Sequence, residues 1–115
     1  MLRGDIWLVD LNPVRGSEAD KRRPAVVVSN DRANTTAVAL GRGVVTVVPL
    51  STNINKVYPF QVFLAGVATE LSADSKAQVE QVRSVALERL TRAVGRVSPQ
   101  DMVRVDAALR LHLDL

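Results

Sequence analysis

Short runs of β-branched residues, punctuated by proline and glycine, set the pattern along most of this chain. Residues 5–11, Asp5-Ile6-Trp7-Leu8-Val9-Asp10-Leu11, are β-prone and stop at Asn12-Pro13, where proline ends a strand ladder. Ala25-Val26-Val27-Val28 and Val44-Val45-Thr46-Val47-Val48 are near-continuous apolar runs bounded by Pro24 and Pro49. They are too short for helices and predict strands buried on both faces or wrapped into a small barrel. Residues 60–64 alternate in part, as a half-exposed strand does. Residues 78–86 alternate well and predict one strand, with Val79, Gln81, Arg83 and Val85 on one face and Glu80, Val82 and Ser84 on the other. Residues 93–97 close the β region.

The period then changes. Ser98-Pro99-Gln100-Asp101 supplies a Ser N-cap, proline at the first helical position and an acid in the first turn. Met102, Val105 and Leu109 follow at three- and four-residue steps, so a helix is expected over 99–111. Leu87-Glu88-Arg89 reads as a single turn. Residues 12–22 and 31–43 read as long connections, the second a mobile loop rich in Asn, Thr and Gly. The expected fold is mainly β with a C-terminal helix, a small barrel or sandwich forming one domain across 1–115.

Composition narrows the chemistry. With 115 residues, 47% of them hydrophobic, the chain can bury a core of its own. It has no cysteine and one histidine, His112, which excludes disulfides, thiol nucleophiles and His-rich metal cages within a chain. No apolar run is long enough to span a bilayer and no signal-like segment opens the sequence, so a cytoplasmic protein without membrane contact is expected. The 15 basic residues exceed the 12 acidic ones by three, and that whole surplus lies in residues 1–58. Twelve of the bases are arginine, whose planar fork matches phosphate, so a phosphate-bearing partner is the sharper reading of the charge.

Nucleophile–base pairs of the usual kinds are missing, and Gly41-Arg42-Gly43 lacks the spacing of a phosphate-binding loop. What remains is polar groups at strand mouths. Lys21-Arg22-Arg23-Pro24 precedes a buried strand, and Pro24 restricts Arg23 to an extended backbone. Ser51-Thr52-Asn53 follows the next buried strand, and Glu80, Gln81 and Arg83 lie on a third. A solvated charge run and ordinary turn residues are the bland readings of the first two groups.

Taken in order, these segments resemble a known family. Residues 3–13, then Gly16-Ser17-Glu18, then the stretch from Lys21 to Asp31, are similar to the start of MazF/PemK toxins. Val47-Val48-Pro49-Leu50-Ser51-Thr52-Asn53 resembles that family's third-strand segment, and Glu80-Gln81-Val82-Arg83 its acid-Gln-x-Arg strand. The resemblance runs from Arg3 to Leu113. It implies an SH3-like, CcdB/Kid-type barrel that forms a homodimer and binds single-stranded RNA along the dimer groove. It also implies a metal-independent, cofactor-free endoribonuclease leaving a 2′,3′-cyclic phosphate, and a cognate antitoxin whose disordered acidic tail fills the same groove. Carried over by position, Arg23, Ser51 and Glu18 are the implied catalytic residues, with Thr52 adjoining the hydroxyl. Ser17, Lys21, Arg22, Thr52, Asn53, Gln81 and Arg83 are the implied RNA contacts. Two positions depart from the Kid branch: Ser17 stands where that branch has His, and Gln78-Val79-Glu80 where it has Arg-x-Asp.

Such chemistry suits these residues. RNA supplies its own 2′-hydroxyl as nucleophile, so the protein has only to orient the phosphate, stabilise its charge and move two protons. Arg23, always charged, suits the phosphate better than it suits proton abstraction. Ser51 can donate to a non-bridging oxygen. Glu18 either takes the 2′ proton or holds Arg23. Two alternatives stay open: a CcdB-like toxin that binds gyrase without catalysis, and an inactive homologue that only binds antitoxin.

Overall fold

The computed structural model describes residues 1–13, 15–19 and 21–115. In chain order its elements begin with β1 (Asp5–Asp10), β2 (Arg22–Val27), α1 (Asp31–Leu40), β3 (Val44–Ser51) and β4 (Gln61–Leu64). They continue with α2 (Gly66–Thr69), β5 (Ser75–Gln78), β6 (Arg83–Ala86), β7 (Leu90–Arg96) and α3 (Pro99–Leu113). Single 3-10 turns cover Val79–Gln81 and Leu87–Arg89, the second as expected.

All pairings are antiparallel, and β3 organises them. One edge of β3 pairs with β2 in the register Ala25↔Pro49, Val26↔Val48, Val27↔Val47. Its other edge is divided: Val44–Val47 pair with β6, and Leu50–Ser51 with β5. Pro49 therefore does not end the strand, as the sequence suggested. It falls in the gap between the two partners, where a missing N–H breaks no ladder bond on that edge. The strand path β4-β5-β3-β2-β1-β7 ends at β4 and β7 without closing, so the expected barrel is an open one.

Both faces of the central strands are buried, as their continuous Val runs predict. Val26, Val48 and Leu50 join Ile6, Leu64 and Val79 in one cluster, covered by Val105 and Ala108 of α3. Ala25, Val27, Val45 and Val47 join Val9, Leu11 and Val85 in a second cluster, which α1 covers through Ala37. The alternating side-chain directions of a strand make this two-sided core possible.

Three expectations are corrected. Residues 31–43 are not a mobile loop: Asn30 caps α1 by accepting from the Ala33 N–H, and Gly41 closes it in the left-handed region at φ 66°. Its buried side carries Asn34 as well as Ala37, and the Asn34 amide donates to the Ser29 carbonyl at 2.8 Å. Residues 78–86 are not one strand but the end of β5, a 3-10 turn and β6, because β3 changes partner there. Arg22 and Arg23 lie inside β2 rather than before it, opposite Asp10 and Val9 of β1. Smaller shifts extend β7 back to Leu90 and α3 on to Leu113. No helix among the described residues is long and apolar enough to cross a membrane.

Candidate active site

Arg23 and Ser51 are brought together by strand register. The β2–β3 ladder ends at Ala25↔Pro49, and Arg23 and Ser51 each lie two residues beyond that last pair, on the two sides of the opening between the strands. Both line one cleft of about 200 Å3, together with Lys21, Arg22, Pro24, Leu50 and Thr52. Five of the sequence-predicted site residues thus converge: Lys21, Arg22, Arg23, Ser51 and Thr52. Three are basic, and among the described residues no carboxylate lines the cleft.

Each wall has a local cause. Lys21 turns the chain into β2 with a left-handed φ of 64°. Its carbonyl accepts from the Leu11 N–H at 3.0 Å and its own N–H donates to Asn12 Oδ1 at 3.1 Å, tying this turn to the end of β1. Lys21 and Arg22 are exposed, whereas Arg23 is half-buried and its Nη1 donates to Oε1 of Gln78 at 3.5 Å. Across the cleft, Ser51 Oγ accepts the Asn53 N–H at 3.2 Å, which leaves the hydroxyl hydrogen for an acceptor in the cleft. Opposite Ser51 in β5 stands Lys76, a nearly buried lysine whose Nζ donates to the Lys56 carbonyl at 2.8 Å. It anchors the loop from Thr52 to Phe60. On that loop Tyr58 stacks on Phe60 with ring centroids 5.3 Å apart, and the Lys56 ammonium lies 4.6 Å from the Tyr58 ring centroid.

Other predicted site residues lie outside the lining. Gln81 clamps the first loop: its Oε1 accepts the Ala19 N–H and its Nε2 donates to the Ser17 carbonyl, both at 3.0 Å. Ser17 is thus held through its backbone. Glu18 sits on the same loop with Oε1 accepting the Arg15 N–H at 2.8 Å. Asp20, another acid of that loop, lies outside the described residues. Arg83 directs Nη1 to the Leu11 carbonyl at 3.4 Å. Asn53 is exposed at the cleft's edge, and its Oδ1 accepts from the Asn55 N–H at 3.4 Å.

Sequence reasoning assigned no role to Gln78 and none to Lys76. Their roles depend on β5 lying beside the end of β3, and no periodicity in 75–78 signals that. Glu80 is engaged away from the cleft, with Oε2 accepting from Gln61 Nε2 at 2.7 Å. No group of three or more His, Asp or Glu residues that could hold a metal occurs among the described residues.

An open antiparallel barrel with a two-sided core and a helix across one face thus carries, at the β2–β3 boundary, a basic, hydroxyl-edged cleft suited to a phosphate-bearing ligand. A sequence profile of the PemK-like, MazF-like toxins of type II toxin–antitoxin systems matches residues 2–113, and the chain belongs to that family. It is 64% identical to the endoribonuclease MazF9 of Mycobacterium tuberculosis over 115 residues, covering all of this chain and 98% of the relative. It is 35% identical to the endoribonuclease MazF of Staphylococcus epidermidis over 114 residues, which are 98% of this chain and 91% of that one. Among solved structures, MazF from Deinococcus radiodurans superposes with a TM-score of 0.83 at 22% identity, over 100% of this chain and 97% of that one. An endoribonuclease from a mycobacterial species, in complex with its cognate antitoxin, gives a TM-score of 0.79 at 23% identity, over 100% of this chain and 96% of that one. These superpositions support the expected fold class.

Proposed function

We propose that this endoribonuclease toxin cuts single-stranded RNA in the cleft between β2 and β3, without a metal or other cofactor. The enzyme class follows from membership of the family and from the 64% identity to a named endoribonuclease. The observation that carries the site is that Arg23 and Ser51 line one basic cleft just past the last β2–β3 pair.

The reaction needs little from the protein beyond geometry and charge. The RNA 2′-oxygen attacks the adjacent phosphorus, its proton leaves to a base, and the P–O5′ bond breaks as that oxygen takes a proton. The products are a 2′,3′-cyclic phosphate and a 5′-hydroxyl. Arg23, positioned through Gln78, binds two phosphate oxygens and stabilises the added charge. Ser51 donates to a non-bridging oxygen, with Thr52 beside it. Glu18 lies on the first loop outside the cleft's lining, so its part as proton acceptor requires the bound RNA to extend from the cleft to that loop, which Gln81 holds and where the Arg15 amide engages one of its carboxylate oxygens; its other reading is to hold Arg23. Lys21 and Arg22, exposed at the mouth, track the phosphate backbone, while Ser17, Asn53 and Arg83 flank the path of the strand.

Residues 1–115 act as one domain, a reading supported by two core clusters that share the strands β1, β2 and β3. Two copies form the working unit. Leu113 and Leu115, 50% and 85% exposed, border with Leu109 a groove of about 390 Å3 beside α3, an apolar surface suited to a second chain. The basic cleft suits the acidic tail of a cognate antitoxin, and the toxin works in the cytoplasm.

Purified protein incubated with single-stranded RNA is expected to produce 5′-hydroxyl and cyclic-phosphate ends, and to leave DNA of the same sequence whole, since DNA lacks the 2′-hydroxyl. Intact RNA would refute the nuclease reading and favour a homologue that only binds. Light scattering should give the mass of two chains at micromolar concentration.

A further inference from the structure

Two polar side chains are buried beneath an exposed loop. Residues 52–59 are exposed throughout, yet Gln61 and Lys76, each 8% exposed, reach their backbone from the β4–β5 pair. Gln61 closes the far end of the loop: its Oε1 accepts the Tyr58 N–H at 3.2 Å, and its own N–H donates to the Tyr58 carbonyl at 2.8 Å. Lys76 serves the end nearer the cleft. It stands opposite Ser51 in the β3–β5 ladder, so the two side chains leave the sheet on the same face, and its Nζ donates to the Lys56 carbonyl at 2.8 Å. Among the described residues no other hydrogen bond ties 53–57 to the sheet.

Stability does not explain this arrangement. The Lys56 carbonyl belongs to an exposed residue and could bond to water instead, whereas burying a lysine costs desolvation. What the bond does is fix position. From Lys56 a run of short-range bonds leads back to the cleft: the Asn55 N–H donates to Asn53 Oδ1 at 3.4 Å, and the Asn53 N–H to Ser51 Oγ at 3.2 Å. That last bond occupies a lone pair of the hydroxyl and so governs where its hydrogen points. Lys76 is too buried to bind a phosphate itself.

We infer that Lys76 is a positioning residue of the nuclease site: by holding the Lys56 carbonyl it keeps the turn at 51–53 closed and the Ser51 hydroxyl aimed into the cleft. The inference rests on Ser51 being the hydroxyl that serves the scissile phosphate. What it adds is preorganisation, since a donor already in place needs no rearrangement as charge develops on the phosphate. A misplacement of about 1 Å is enough to slow a reaction by about 10²-fold.

Single-turnover cleavage of RNA at saturating protein tests this in wild type, Ser51→Ala, Lys76→Met and the double variant. Methionine keeps the unbranched shape and removes the donor. Ser51→Ala should lose roughly 10²–10³-fold in rate, and Lys76→Met roughly ten- to hundredfold. The double variant should be no slower than Ser51→Ala, because the anchor then has no hydroxyl to aim. Losses that multiply would assign Lys76 a general structural role, and an undiminished rate in Lys76→Met would show that it positions nothing; either overturns the inference. Backbone 15N relaxation reads the anchor without catalysis. Order parameters at 53–57 should match rigid backbone, about 0.85, in wild type and fall in Lys76→Met. A loop already looser than the strands in wild type, or no fall in the variant, overturns the anchoring. Should Lys76→Met not fold, the wild-type values decide. Failure of the site reading shows itself separately, as wild type that cuts no RNA or Ser51→Ala that cuts as fast as wild type, and relaxation alone then decides whether Lys76 holds the loop.

Discussion

Replacing Arg23 by alanine removes the half-buried guanidinium that lines the cleft with Ser51 while leaving the strand that carries it intact. The backbone of β2 stays paired with Val9 and its neighbours in β1, so the fold loses only contacts of a half-buried side chain, among them a long 3.5 Å bond to Gln78. Partly solvated interactions of that kind stabilise a protein by about 0–1 kcal/mol, which shifts the melting midpoint by a few degrees at most. Catalysis should suffer far more. Loss of one preorganised donor to developing charge costs about 10²–10³-fold in rate, or about 2.7–4 kcal/mol, and a two-donor guanidinium belongs at the upper end. Single-turnover cleavage at saturating protein isolates this step from binding, which Lys21 and Arg22 continue to support. Arg23→Lys should restore little, because an ammonium cannot copy the fork. Gln78→Ala, which removes the 3.5 Å bond to the guanidinium, should fall between Arg23→Ala and wild type. Arg23→Ala cutting RNA at nearly the wild-type rate would refute the mechanism, even with family and fold unchanged.

Other outcomes follow from the same geometry. Lys21→Ala and Arg22→Ala should each weaken RNA binding and reduce the slope of log K against log salt by about 0.7, the single-strand value per phosphate contact, with the turnover of bound RNA nearly unchanged. Cleavage should be indifferent to EDTA, since RNA itself supplies the nucleophile and Arg23 the positive charge; abolition of activity by chelation would point to a metal-dependent route. Gly95→Ala would place its Cβ 2.2 Å from the Thr69 carbonyl oxygen, forcing β7 and α2 apart, so thermal unfolding should show a loss of about 2 kcal/mol or more.

Much of the framework was legible in the chain because its causes are local. The Val runs at 25–28 and 44–48 predicted strands buried on both faces or wrapped into a small barrel, and both core clusters draw on them. Ser98 and Pro99 announce α3 within four residues, and the structure seats the Ser98 hydroxyl on the Asp101 N–H at 3.1 Å. Helix α1 escaped detection although Asn30 and Gly41 bracket it. Its buried face holds an asparagine, made tolerable by the Ser29 carbonyl and by a bond with the Ser29 hydroxyl, so no apolar stripe marks it. The division of 78–86 was invisible for a different reason. Alternation of side chains continues through it, and only the change of partner along β3 breaks the strand.

Residue types and their order were enough to identify Arg23, Ser51 and the basic run as candidates and to place the chain in its family. Whether those groups meet was decided by strand register, a relation between segments almost thirty residues apart that no local propensity encodes. Strand pairing brought Arg23 and Ser51 into one basic cleft past the last β2–β3 pair, and it set β5 alongside so that Gln78 reaches Arg23 and Lys76 holds the neighbouring loop. It also separated Glu18, Gln81 and Arg83 from that cleft's lining, bonded instead to backbone around the first loop. Local sequence specifies what each segment can become, whereas the position of a side chain in a site depends on which strands share an edge and in what alignment.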